Sequence, residues 1–159
     1  MDAIDIKILD HLQQDAAMPL ADLAARVGLS ATPCWRRIKA LEEAGVIAGR
    51  VALLDPDRLN LPVTVFVSIR THEHNAAWLT RFAKAVAGIP EIVDVYRMSG
   101  DVDYLLRVVV PDVAGYDAVY KKLIKVGGLT DVSSRFAMER IKASTRLPLN
   151  YLPIRRRGA

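Results

Sequence analysis

Three cations crowd into the run Ser30–Lys39, SATPCWRRIK, and no acidic residue stands between Ser30 and Leu41 to neutralise them. Guanidinium and ammonium groups at Arg36, Arg37 and Lys39 suit phosphate oxygens and the O6 and N7 acceptors of guanine in a DNA major groove. A second candidate is the run Ser99-Gly100-Asp101-Val102-Asp103. Backbone N–H groups at a glycine turn can cradle a carboxylate, and an Asp can meet an α-ammonium. Those are the two charges of every free amino acid. The same composition also makes a plain hairpin turn, so on residues alone both readings stay open.

Other chemistry-bearing residues read more simply. His72 and His74 flank Glu73 with no third metal ligand in sight, which suits a solvated loop. Cys34 can be a redox switch or a small buried thiol, and its position on a packed helix face favours the second. Arg155, Arg156 and Arg157 form a basic tail whose ordinary state is frayed, with contact to DNA or an assembly as the alternative. No nucleophile–base pair or metal set is legible, so no catalytic residue, metal or cofactor is assigned.

The elements that position the cations follow from helical phase. At about 100° per residue, Cys34, Ile38 and Leu41 share one face, with Thr32, Arg36, Lys39 and Glu43 opposite and Trp35 on their flank. Ser30 can cap this helix, Pro33 fits its first turn, and Gly45 can take the left-handed conformation after its end. Arg37 lies nearer the buried side, where a phosphate contact or an intradomain salt bridge is expected. Trp35 reads as a DNA contact or as packing under a wing. Before it, residues 3–14 predict a helix with Ile4, Ile8, Leu9 and Leu12 inward. A short second helix begins at Pro19 with Leu20, Leu23, Ala24 and Val27 inward. Two short helices joined by a tight Gly28-Leu29 turn, the second cationic, are helix-turn-helix architecture. Val46-Ile47 and Arg50 to Leu54, bending at Gly49, predict a wing-like ribbon, and Leu59 to Pro62 is the expected boundary: a short apolar linker coupling the domains.

The second half alternates differently. Val63, Val65, Val67 and Ile69 alternate with Thr64, Phe66, Ser68 and Arg70, predicting a strand over 63–71. A helix over 76–87, strands over 92–98 and 104–110, a helix from Pro111-Asp112 to Val126 and a last strand over 129–141 complete β-α-β-β-α-β. That is the ferredoxin-like split pattern, a single antiparallel sheet with both helices on one face. The other face, expected to carry Phe66 and Phe136 or their neighbours, calls for a cover, and a second subunit is the natural one.

Composition bounds these readings. With 159 residues, 52% of them hydrophobic, there is core enough for one sizeable domain or two small ones. No apolar run is long enough for a bilayer and the acidic start is no signal peptide, so no membrane partner is expected. A single cysteine fits a reducing cytoplasm. The net charge of +4 is unevenly spread: residues 1–60 hold 7 Lys/Arg against 9 Asp/Glu, and residues 61–159 hold 15 against 9. Bulk charge therefore does not nominate the N-terminal part as the DNA binder. The placement of a few cations does.

Taken together, both halves resemble the Lrp/AsnC (leucine-responsive, or feast/famine) transcription regulators over nearly the whole chain. The resemblance rests on Ile4-Asp5 with Ile8-Leu9, Leu23-Ala24 with Val27-Gly28-Leu29-Ser30, Arg37-Ile38 with Leu41-Glu42, Gly45-Val46-Ile47 and Leu54-Asp55-Pro56. It continues through Pro90-Glu91-Ile92, Ser99-Gly100-Asp101 with Asp103 to Leu106, Ser134 to Met138, Thr145 and Leu147-Pro148. It departs at Ala17, where an arginine is common, at Pro19 for a Ser/Thr, at Asn60 for a glycine and at Val102 for an aromatic. The first two touch a phosphate contact or a cap, and Val102 the packing of the effector turn. Asn60 also tolerates a left-handed backbone.

The resemblance implies an α+β chain. A winged helix-turn-helix with its linker would span 1–60, a ferredoxin-like effector and oligomerisation domain 61–150, and a basic tail 151–159. It implies double-stranded DNA as partner, read through Ser30, Thr32, Trp35, Arg36, Arg37 and Lys39. It implies homodimers assembling into an octamer, a tetramer of dimers, and a small amino acid as effector ligand. The effector pocket would lie between two dimers at Ser99, Gly100, Asp101 and Asp103, completed by Thr130, Asp131, Ser133 and Ser134. The run 32–37 with the His-and-Trp stretch 72–78 most resembles a cysteine-responsive subgroup, with branched-chain amino acids beside it. Two other classes stay open: an architectural protein compacting DNA with shallow specificity, and a small enzyme on the ferredoxin-like half using Asp101, Asp103 or His72.

Overall fold

The computed structural model describes residues 1–152, and these divide into two compact units. The first joins residues 1–52 to residues 142–152, and the second is Leu53–Ile141.

Helices α1 (Ala3–Leu12), α2 (Leu20–Val27) and α3 (Ala31–Glu43) build the first unit. Asp2 starts α1 by accepting the N–H groups of Ile4 (2.9 Å) and Asp5 (3.1 Å), while the Asp5 carboxylate accepts the Asp2 N–H (2.8 Å). This reciprocal box satisfies N–H groups that a helix start otherwise leaves unpaired. Gly28 (φ 73°) and Gly45 (φ 69°) end α2 and α3 in the left-handed conformation. There the N–H groups of Leu29 and Val46 turn back onto Ala24 and Leu41 carbonyls, each at 2.9 Å. Helices this short are marginal alone. They hold because Ile8, Leu9, Leu23, Ala24, Val27, Cys34, Ile38 and Leu41 bury one shared core, the faces that the spacing predicts.

Two expectations change here. No strand forms between residues 44 and 62, so the helix-turn-helix has no wing. Val51, Leu53 and Leu54 are exposed, and a two-stranded ribbon with no apolar face to bury is not stable. Residues 142–150, expected in the second domain, belong instead to the first unit. Gln13 clamps the main chain of Leu147, its amide donating to the Leu147 carbonyl (3.1 Å) and accepting the Leu147 N–H (2.9 Å). Arg146 pairs with Asp10 at 3.0 Å, and Leu149 and Leu152 pack on the helical core. The two compact units divide between residues 52 and 53, a few residues before Leu59–Pro62. Arg155, Arg156 and Arg157 of the basic tail lie outside the described residues.

The second unit runs β1 (Val63–Thr71), α4 (Ala76–Ala87), β2 (Ile92–Arg97), β3 (Tyr104–Val110), α5 (Val113–Ile124) and β4 (Leu129–Phe136). Its sheet has the order β2-β3-β1-β4 with every pairing antiparallel, the split β-α-β-β-α-β topology. Asn75 and Asp112 cap the two helices by accepting the N–H groups of Trp78 and Gly115. Trp78 and Phe82 from α4 and Tyr116, Val119 and Leu123 from α5 pack on Val65, Val67, Ile69, Leu106 and Val108, so both helices cover one face. Asn60, before β1, takes a left-handed φ of 58°.

The register settles the other face. Across it run Tyr96–Leu105–Ser68–Ser133 and Asp94–Arg107–Phe66–Arg135. It is mixed rather than apolar, with Arg107 paired to Asp94 at 2.5 Å and Arg135 donating to Ser68 at 3.0 Å. Phe136 is not on it. Opposite Val65, Phe136 turns to the helix side and meets Tyr116 edge-on, ring centres 5.4 Å apart. Strand β4 also stops before the expected Ile141. Ala137 makes a last bond to Thr64, and two residues further on the facing chain is Pro62, which has no N–H to donate. No described helix is long and apolar enough to cross a membrane.

Candidate DNA-reading helix and effector turn

Helix α3 sorts its cations by phase. Arg37, on the flank of the buried side, donates to Asp5 (2.6 Å) and Asp2 (3.0 Å). The bond to Asp5 foremost holds Arg37 protonated. The Asp5 N–H first, and Arg37 as well, hold the Asp2 carboxyl below its usual range. Arg37 is thus an intradomain tie, one of the two roles expected for it. Lys39 is exposed but pairs with Glu42 at 2.8 Å, and Glu42 also takes Arg50 at 3.0 Å. The hydrogen bond from Lys39 chiefly keeps the Glu42 carboxyl below its usual range. Arg36 is exposed and, among the described residues, has no acidic partner.

Thr32 and Ser30 are exposed beside Arg36, and Trp35 is 50% exposed. Ser30 stands at the cap position, yet its hydroxyl makes no capping bond, contrary to expectation. Cys34 is fully buried, and burial pushes its thiol up, away from the reactive thiolate. The front of α3 therefore offers a guanidinium, an indole and two hydroxyls, donors matched to phosphates and base edges.

The turn between β2 and β3 is built differently. Gly100 takes a φ of 98° that an L side chain rarely adopts, and Ser99, Gly100 and Asp101 are exposed. One oxygen of the Asp103 carboxylate accepts the Thr71 N–H at 2.8 Å, and the other makes no side-chain bond among the described residues. Ile69 of β1 pairs with Tyr104 of β3 and Val132 of β4, so Thr130 and Asp131 lie at the same end of the sheet as the turn. Ser133 and Ser134 lie further along, opposite Ser68 and Val67, and face opposite sides. Ser133 donates to Asp131 (2.9 Å), whereas Ser134 shares a hydrogen bond with the Tyr116 hydroxyl on the helix side. Burial raises the Tyr116 pKa, so that hydroxyl keeps its proton. The end of the sheet gathers Ser99, Gly100, Asp101, Thr130 and Asp131. Asp103 and Ser134 also make bonds within the unit, to Thr71 and Tyr116.

His72 and His74 are exposed, and no group of three or more His, Cys, Asp or Glu could hold a metal among the described residues.

Comparison with known proteins gives this geometry its family. The profile of the AsnC-type helix-turn-helix domain matches residues 1–42, and that of the Lrp/AsnC ligand binding domain matches residues 64–147. The chain belongs to the Lrp/AsnC family. This Lrp/AsnC chain is 52% identical over 149 residues to the glutamate uptake regulatory protein of Zymomonas mobilis, covering 94% of itself and 91% of that protein. Among solved structures it resembles an AsnC family transcriptional regulator from Agrobacterium tumefaciens. The TM-score there is 0.92 at 61% identity, covering 96% of this chain and 100% of that one. It also resembles a transcriptional regulator from Neisseria meningitidis in complex with L-Met, with a TM-score of 0.90 at 35% identity and coverages of 94% and 97%.

Within the Lrp/AsnC frame, sequence reasoning missed Thr71 and Tyr116. Thr71 ends a strand as β-branched residues commonly do, and its partner Asp103 is 32 positions away. Tyr116 reads only as a core residue, because its hydroxyl's partner lies on another element. The Gly127-Gly128 doublet was the one local signal, legible as a helix stop.

Proposed function

We propose that this Lrp/AsnC protein is a sequence-specific DNA-binding transcriptional regulator whose DNA binding or assembly is modulated by a small amino acid. The observation that carries the reading is the sorting of cations on α3: Arg37 is tied to Asp2 and Asp5, while Arg36 stands exposed without an acidic partner among the described residues. Ser30, Thr32, Trp35 and Arg36 read the duplex, with Lys39 reaching it when Glu42 releases it. Arg37 orients the helix rather than touching DNA.

The effector's carboxylate meets the backbone N–H groups at Ser99–Asp101, and its ammonium meets Asp101 or Asp131. Cysteine or a branched-chain amino acid is the first candidate, and L-Met in the Neisseria relative keeps a sulfur amino acid in view. The protein acts in the cytoplasm as a homodimer closed over the open sheet face around Phe66, Tyr96 and Leu105, and dimers assemble into an octamer. The bound amino acid favours one arrangement of dimers and so sets the spacing of α3 helices along the duplex. The reading requires no catalytic residue, and the family's members are transcriptional regulators.

The test is selection of genomic fragments on the purified protein, then gel shifts of a selected fragment and a scrambled one at fixed salt with each proteinogenic amino acid. Preference for the selected fragment that one amino acid alters supports the reading. Equal affinity for both fragments points to an architectural DNA binder instead.

A further inference from the structure

Two segments that are distant in sequence converge on Thr71, the last residue of β1, which is 6% exposed. Its N–H donates to the Asp103 carboxylate at 2.8 Å. Its hydroxyl donates to the Gly128 carbonyl at 2.6 Å and accepts the Glu73 N–H at 3.0 Å. Each partner is itself anchored. The Asp103 N–H goes to the Ile69 carbonyl at 3.0 Å, and the Asp103 carbonyl accepts the Met98 N–H at 2.8 Å across the base of the turn. On the other side Trp78, 1% exposed, donates its indole N–H to the Gly127 carbonyl at 3.0 Å. The regular pairing of β1 with β4 shifts between Arg70 and Thr71, so at this point side-chain bonds stand in for the ladder. Gly128 leaves no slack: it takes a φ of 72°, and a Cβ there would collide with the Glu73 carboxylate and the Trp78 indole nitrogen.

Resting on the effector reading above, we propose that Thr71 is a positioning residue that locks the Gly100 turn and the Gly127-Gly128 turn into one body and so pre-forms the two sides of the amino-acid site. Thr71 touches no ligand. Its main-chain N–H holds the Gly100 turn through Asp103, while its hydroxyl holds the Gly128 side and the Glu73 N–H, so one buried residue ties both. Ser99, Gly100 and Asp101 project from one anchored segment, and Thr130 and Asp131 follow the other. A ligand that bridges the two gains affinity when neither has to be ordered on binding.

Thr71→Val keeps shape and β propensity but removes the hydroxyl bonds, and Thr71→Ser keeps the hydroxyl and removes a methyl. Calorimetry with the amino acid that the wild type binds is run beside hydrogen exchange of peptides spanning 97–104 and 126–131 without ligand. DNA affinity without amino acid serves as the fold control. Expected for Thr71→Val are a roughly tenfold weaker Kd and faster exchange in 126–131, where the hydroxyl bond is lost, with 97–104 still held by the retained N–H and DNA affinity unchanged, and for Thr71→Ser a Kd within about twofold of wild type. A wild-type Kd in Thr71→Val, an equal loss in Thr71→Ser, or unchanged exchange in 126–131 would overturn the proposal. If the wild type binds no amino acid, the effector reading itself falls, and exchange in 126–131 alone decides whether the Thr71 hydroxyl fixes that turn.

Discussion

The two candidate sites are made by different means. On α3 the working groups are side chains sorted by helical phase, so adjacent arginines have opposite roles: Arg36 faces out without an acidic partner among the described residues, and Arg37 is bound to Asp2 and Asp5. At the end of the sheet the working groups are backbone N–H groups and carboxylates held by long-range ties, Asp103 to Thr71 and Thr71 to Gly128. A helix face survives the loss of one exposed side chain. A site assembled from turns depends on residues that never touch its ligand.

Removing Arg36 separates the two modes most sharply. Arg36→Ala should lower affinity for a selected fragment by about 1–3 kcal/mol and relax specificity, with thermal stability unchanged. Unchanged affinity in a gel-shift titration would move DNA reading elsewhere. At the sheet end, Gly128→Ala should cost about 2 kcal/mol of stability, because positive φ and a crowded Cβ act together. Gly100→Ala should cost about 1 kcal/mol, since it carries the φ without the crowding. Thermal melts of the pair check the order, and equal losses would remove the crowding argument.

Smaller effects probe the first unit. Gln13→Ala should release residues 146–152 at about 1 kcal/mol, seen as faster exchange of that segment. Smallest is the ion pair that fixes Arg37. Asp2→Asn keeps the cap and loses the charge, for about 0.5 kcal/mol near neutral pH in this partly exposed pair. The Asp2 carboxyl sits below its usual value of 3.8 when folded, so its contribution is complete above that pH. It fades as pH falls through the folded pKa. The melting difference between wild type and Asp2→Asn should therefore shrink below about pH 4. A difference constant down to acid pH would deny the pair its role.

What could be read in the sequence follows the same division. Periodicity alone places the inward faces of α1, α2 and α3 and the alternation of β1, because Ile8, Leu23, Ile38 and Val65 recur at spacings set by local geometry. The front of α3 is legible for the same reason. The side taken by Phe136 is not, since it depends on the register of β4 against β1 and on the shift at Thr71. The clamp of Gln13 on Leu147, 134 positions away, leaves no local mark, and neither does the commitment of Asp103 to Thr71. The missing wing is an error of another kind. Val51, Leu53 and Leu54 have the composition of strands, but among the described residues they stay exposed.

The most direct test is one anisotropy titration series on the full chain at fixed salt, with a selected fragment and a scrambled one, each with and without the amino acid found by calorimetry. The account predicts roughly tenfold or greater preference for the selected fragment, and a change in that affinity when the amino acid is present. Equal affinity for both fragments, or a preference that no amino acid alters, would contradict it.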